Sequence, residues 1–148
     1  MASLVALDTN VYIAALRDRE RLARLKHFLL RTGTRLRLSA VVALELRVGA
    51  RTAAQTDAVR ALIDPYDERD QVIVPSFGAY VESGRALAAL GAREGVDLSR
   101  AASLFADALI AASCREAGAR LVTENARDFA ALERHLRGFS FSSASEAM

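Results

Sequence analysis

Leu4-Val5-Ala6-Leu7-Asp8-Thr9-Asn10 is a run of four apolar residues closed by an acid and two small polar residues. The run is too short for a buried helix and shows no apolar–polar alternation. It therefore reads as a strand covered on both faces and followed by a turn. A strand of that kind belongs in a parallel sheet, and the chain supplies companions for it. Leu36 and Leu38, alternating with Arg35 and Arg37, predict a second short strand. Gln71-Val72-Ile73-Val74, closed by Pro75, predicts a third, and Arg120-Leu121-Val122-Thr123 a fourth. Phe139-Ser140-Phe141 alternates and predicts a small edge strand.

Helical spacing fills the gaps between these runs. Val11, Ile13, Leu16, Leu22, Leu25, Phe28 and Leu29 recur at that spacing, with a break expected in Arg17–Arg21 and a stop at Thr32-Gly33-Thr34. Ser39 is placed to cap a helix carrying Val41, Val42, Leu44, Leu46 and Val48. A helix from Ala53 is expected to stop near Ile63, because the residue before Pro65 is disfavoured from helical geometry. Ser76 caps an Ala-rich helix to about Glu94, and Gly95–Leu98 reads as a loop. Leu104–Ala117 is helical with Gly118 as its stop, and a last helix, capped by Thr123 or Asn125, runs through Leu132 to Leu136. Strands alternating with helices imply an α/β sandwich with a central, mainly parallel sheet of four or five strands. Residues 1–141 read as one domain and 142–148 as a frayed tail.

The composition excludes several classes. Of the 148 residues 52% are hydrophobic, enough for a core, and the net charge of +2 does not mark a strong polyelectrolyte binder. Lys26 is the only lysine, so the surface is rich in guanidinium groups that fit phosphate. Cys114 is the sole cysteine, which rules out an internal disulfide and a cysteine-based zinc site. No stretch approaches the ~20 apolar residues of a membrane span. Met1 to Asp8 has no basic region, so no secretory signal and a cytoplasmic location are expected.

In a parallel sheet, ligands bind beyond the carboxyl ends of the strands. Asp8-Thr9-Asn10 follows the first strand, Ser39 and then Glu45 follow the second, and Thr123-Glu124-Asn125 and then Asp128 follow the fourth. Asp107 lies inside Leu104–Ala112, a helix apolar nearly all round, where a carboxylate is costly unless something receives it. Asp8, Glu45 and Asp107 are thus three acids in apolar settings, each on an element able to reach one sheet edge. Brought together they would raise one another's pKa, and a hard divalent cation such as Mg²⁺ or Mn²⁺ removes that conflict. Each acid also has an ordinary reading. Asp8 can cap a helix, Asp107 can be neutralised by Arg100 or Arg115, Glu45 can reach solvent, and Asp128 can be a helix-end acid. His27 and His135 sit among charged neighbours and pair with no nucleophile.

Four segments taken in order resemble the PIN-domain ribonucleases, most closely the VapC-type toxins of toxin–antitoxin pairs. They are Leu7-Asp8-Thr9-Asn10-Val11, Ser39 to Leu46 with its Glu45, Asp107 to Ala112, and Val122 to Phe129. The resemblance implies a PIN-like three-layer sandwich over residues 1–141 and Mg²⁺- or Mn²⁺-dependent endonucleolytic cleavage of RNA. It implies that Asp8, Glu45, Asp107 and Asp128 are catalytic, with Asp8, Asp107 and Glu45 holding metal. Thr9, Asn10, Thr123 and Asn125 would hydrogen-bond these carboxylates from behind. It further implies a small antitoxin protein as partner, a homodimer and no membrane association. The Ala-rich helices and the face of Leu22, Leu25, Phe28 and Leu29 are candidate partner surfaces, though core packing is their simpler role. Two positions depart from the family pattern. Asn125 is an amide where the fourth acid can stand, so that acid is assigned to Asp128. Glu124 stands where relatives often carry a base, and either weakens RNA contact or is inert. The competing readings are a catalytically silent binding module of the same fold, a DNA nuclease, and a phosphatase using Asp8 as nucleophile. The last usually needs a second acid where Asn10 stands.

Overall fold

Strand β1, Leu4–Leu7, has Val5, Ala6 and Leu7 all buried. Consecutive strand residues point to opposite faces, so burial of all three means that both faces of the sheet are covered. The computed structural model describes residues 3–100 and 102–148, apart from the Arg100 side chain. Met1 and Ala2, part of the segment read for a targeting signal, lie outside the described residues. The other strands are β2 Leu36–Ser39, β3 Val72–Ile73, β4 Ala119–Thr123 and β5 Phe141–Ser143. They form one sheet in the order β3-β2-β1-β4-β5, and every neighbouring pair is parallel.

Parallel neighbours require crossovers, and helices supply them. They are α1 Thr9–Arg17, α2 Arg19–Thr32, α3 Ala40–Gly49, α4 Ala53–Glu68, α5 Phe77–Glu94, α6 Ala102–Ala117, α7 Ala126–Glu133 and α8 Ala144–Ala147. The break between α1 and α2 is made by Asp18, whose carboxylate accepts the Glu20 N–H at 2.9 Å and caps α2. Gly33 ends α2 at φ 57°, and Gly118 ends α6 at φ 71°, conformations that a Cβ would strain. Helix α6 buries Leu104, Ala108, Ile110, Ala111, Ala112 and Cys114. Its alanines let α5 pack close along it, and Ser83 of α5 donates to the carbonyls of Ala79 and Ala108. Among the described residues no helix is long and apolar enough to cross a membrane.

Several expected boundaries move, each for a tertiary reason. Helix α4 runs through Pro65 to Glu68. Proline forfeits one helical hydrogen bond, but the next residue, Tyr66, is buried. Its hydroxyl lies 3.3 Å from that of Tyr12, and its carbonyl accepts the Gln71 N–H. These anchors carry the helix one turn past the proline. Strand β3 keeps only Val72 and Ile73, and Val74 stands exposed at the sheet edge. Helix α7 ends at Glu133 rather than Leu136. The segment 142–148 is folded rather than frayed. Ser142 and Ser143 pair with β4, and α8 follows, with the Ala147 carbonyl accepting from Arg31. The cause is the aromatic group Phe129, Phe139 and Phe141, whose ring centroids lie 6.0–6.4 Å apart and fix β5 two residues later than the alternation suggests. The face read as a candidate partner surface is largely core, since Leu25 and Phe28 are buried.

Candidate active site

The strand order reverses direction between β1 and β4: β2 and β3 lie on one side of β1, and β4 and β5 on the other. Such a switch point leaves a crevice beyond the strand ends that no crossover covers. Leu7 pairs with Val122, so Asp8 and Thr123 leave the sheet side by side. The Asp8 N–H donates to the Val122 carbonyl at 2.9 Å, which fixes Asp8 to the end of β4.

Asp8 is 4% exposed. Its Oδ1 accepts the Thr9 N–H at 2.8 Å, the capping contact foreseen for α1, and its Oδ2 accepts the Thr123 hydroxyl at 2.7 Å. Burial pushes its carboxyl up, while the Thr123 and Thr9 hydrogen bonds hold it down. Thr123 is fully buried, and its oxygen also accepts the Asn125 N–H at 2.9 Å, so one hydroxyl ties the Asp8 carboxylate to the start of α7. Asn125 stands at the N-cap of α7 without a side-chain cap, and its amide instead donates to Asp128 Oδ2 at 2.9 Å. On the other flank Ser39 caps α3, accepting the Val42 N–H, and sets the helix that presents Glu45. The Thr9 hydroxyl donates to Glu45 Oε1 at 2.7 Å. Asn10 touches none of the four acids by hydrogen bond; its side-chain oxygen accepts the Glu124 N–H at 3.3 Å.

Asp107 comes to this edge from α6 and is 8% exposed. Its carboxyl is pushed up to about 7, first by burial and then by the charges of Asp8, Glu45 and Asp128. The four acids thus share one electrostatic environment. No Arg, Lys or His makes an ion pair with any of them among the described residues. Arg115, one candidate counter-ion for Asp107, instead lies 3.8 Å from Glu82; the other, the Arg100 side chain, lies outside the described residues. The donor set is all hard oxygen, without a compensating cation among the described residues, which is the chemistry that suits Mg²⁺ or Mn²⁺. As the side chains stand, however, no three His, Cys, Asp or Glu groups among the described residues converge into a ready ligand cage. Holding an ion between the strand ends requires side-chain rotation. Glu45 and Asp128 are half-buried and held by one side-chain hydrogen bond each, whereas Asp8 is buried and held by two.

One contact escaped sequence reasoning. Arg21, near the start of α2, pairs with Glu124 at 2.9 Å. The two are 103 residues apart, and no local pattern announces the pair.

Comparison with known proteins agrees with this architecture. A family model described as PIN domain matches residues 5–134. No curated protein matches the chain. Among solved structures, a chain of DNA-bound VapBC from Salmonella typhimurium is similar at a TM-score of 0.68 and 22% identity, covering 96% of this chain and 98% of that one. A chain of VapBC-1 from nontypeable Haemophilus influenzae is similar at 0.67 and 20% identity, covering 95% and 97%. A chain of VapBC2 from Rickettsia felis, bound to a promoter DNA fragment, is similar at 0.64 and 20% identity, covering 95% and 98%. At these identities the likeness is one of fold.

Proposed function

The chain belongs to the PIN-domain family, and from that premise we propose that it is a Mg²⁺- or Mn²⁺-dependent endoribonuclease, the toxin of a toxin–antitoxin pair. The observation that carries the reading is the environment of Asp107. Its carboxyl is buried beside three further acids at the switch point, with no basic side chain paired to them among the described residues. A structural carboxylate would have a basic partner, whereas a metal ligand keeps its charge for the ion.

Asp8 and Asp107 would hold the metal, and Glu45 would join them directly or through water. When bound, the ion neutralises the phosphodiester, lowers the pKa of a water and stabilises the leaving oxygen. Glu45 orients the attacking water and accepts its proton. Thr123 and Thr9 hold the carboxylates of Asp8 and Glu45 in place. Asn125 orients Asp128, which completes the acidic rim. Neither histidine competes for the proton-transfer role: His27 is exposed, and His135 is held by Glu94.

The toxin reading is supported by the full-length likeness to chains of VapBC complexes. A small antitoxin, a homodimer and a cytoplasmic location belong to the same proposal. The test is incubation of the pure protein with total RNA in Mg²⁺ or Mn²⁺, with and without EDTA. Cleavage that EDTA stops and that Asp107→Asn abolishes supports the reading. Intact RNA under every condition, with folded protein, refutes it. One observation favours the silent binding module, namely that no three acids among the described residues converge as they stand. Calorimetric titration with Mn²⁺ separates the two, since the silent module takes up no ion.

A further inference from the structure

Among the described residues the four acids have no ion-paired base, so an RNA chain needs its phosphates held by other groups close by. Arg21 is placed for this. Its Nη1 donates to both Glu124 carboxylate oxygens, at 2.9 and 3.0 Å. Its Nη2 donates to nothing among the described residues, and its Nε stands 4.0 Å from Asp18, beyond hydrogen-bond reach. The two side chains are 48% and 37% exposed. An exposed pair of this kind contributes little to folding, so fold stability does not account for it. Its position is informative. Glu124 directly follows Thr123, which holds Asp8, and the Glu124 N–H rests on Asn10. The guanidinium is therefore tethered one residue from the acid site. Beside it lies a depression of about 190 Å³, with Val11 and Ala14 in its lining and Arg21, Arg24, Glu124 and Ser145 as its polar groups. Arg24 is held only loosely, 3.8 Å from Glu20.

A carboxylate on a guanidinium occupies the place a phosphate takes: one is planar and the other tetrahedral, but each presents two anionic oxygens that the same N–H donors can grip. We propose that Arg21 binds a backbone phosphate of the RNA beside the cleavage site, and that Glu124 occupies the same guanidinium until the phosphate displaces it. Glu124 thus weakens RNA binding at this guanidinium by competing for the Nη1 donor that the phosphate needs. The inference rests on the nuclease reading and names the group that grips that substrate.

The test measures binding rather than cleavage, by fluorescence anisotropy of a labelled single-stranded RNA of mixed sequence, in EDTA. Glu124→Gln removes the competing charge and is expected to tighten binding about fivefold. Arg21→Gln is expected to weaken binding and to lower the slope of log affinity against log salt by about 0.7, the loss of one phosphate contact on a single strand. With Arg21→Gln already present, Glu124→Gln is expected to lose most of its gain, because the two act on one guanidinium. Both side chains are exposed, and melting temperatures check that the variants fold. Unchanged or weaker binding by Glu124→Gln overturns the proposal. So does a gain that is equally large without Arg21, which would reflect net charge alone. If the wild type cleaves RNA in Mn²⁺ while both variants bind as it does, only this inference fails. If the wild type neither binds nor cleaves RNA, the nuclease reading fails and takes this inference with it.

Discussion

Replacing Asp107 by asparagine should stabilise the metal-free protein while abolishing the proposed RNA cleavage. The Asp107 carboxyl has an ordinary value of 3.8 and is pushed up to about 7 in the fold, by burial and by three neighbouring acids. The folded chain therefore binds that proton more tightly than the unfolded chain does. The contribution of Asp107 to wild-type stability accordingly falls as pH rises from about 4 to about 7, and is flat above. At 1.36 kcal/mol per tenfold change in proton affinity, the full cost of the ionised carboxylate is roughly 4 kcal/mol. Solvent entering the crevice and the hydrogen-bond needs of the new amide reduce the expected gain to about 2 kcal/mol. For a chain of this size that is a melting temperature higher by about 4–8 °C near pH 8. The gain should shrink to less than half near pH 5, because the wild-type carboxyl is then already protonated. Thermal melts of both proteins in EDTA across that range provide the assay. A second arm adds Mn²⁺, which should raise the wild type and leave the variant unmoved. A variant less stable at every pH, or a gain that does not fade on acidification, refutes the account of Asp107 as an uncompensated charge.

Thr123→Val keeps the shape but removes the donor to Asp8 and the acceptor for Asn125. It should cost about 1–2 kcal/mol in denaturant melts and move the cleavage–pH profile to higher pH, with Thr123→Ser restoring both. An unshifted profile contradicts the positioning role. Phe129→Ala opens a cavity under β5 where the three rings meet, for an expected loss of about 3–5 kcal/mol. A loss below about 1 kcal/mol would mean that the folded C-terminal segment does not depend on that cluster. The Cys114 thiol is fully buried and pushed up to about 12, mainly by burial. It should react with a thiol reagent near pH 8 only at the rate of unfolding, and immediate stoichiometric labelling of native protein contradicts this.

Much of the fold is legible because its signals are local. Asp18 caps α2, Ser39 caps α3 and Ser76 caps α5, each by accepting a backbone N–H from two or three residues ahead. The chain breaks where its own polar side chains compete for the backbone. The failures are equally specific. Pro65 reads as a stop, yet the anchors on Tyr66 lie 54 residues away at Tyr12 and across the turn at Gln71. The tail reads as frayed because Ser142–Met148 is small and polar, whereas its order comes from pairing with β4.

The candidate site divides in the same way. The acids are conspicuous in the sequence because ionisable groups are costly in apolar surroundings, and that cost is visible one residue at a time. Their mutual charge is not visible there. Only the parallel register of β1 and β4, and the passage of α6 past the same edge, put Asp107 within reach of the fields of Asp8, Glu45 and Asp128. Periodicity and capping are read along the chain over a few residues. The hydroxyl of Thr123 on Asp8, and the guanidinium of Arg21 on Glu124, join segments more than a hundred residues apart. Contacts of that separation exist only once burial of the sheet has closed the chain on itself.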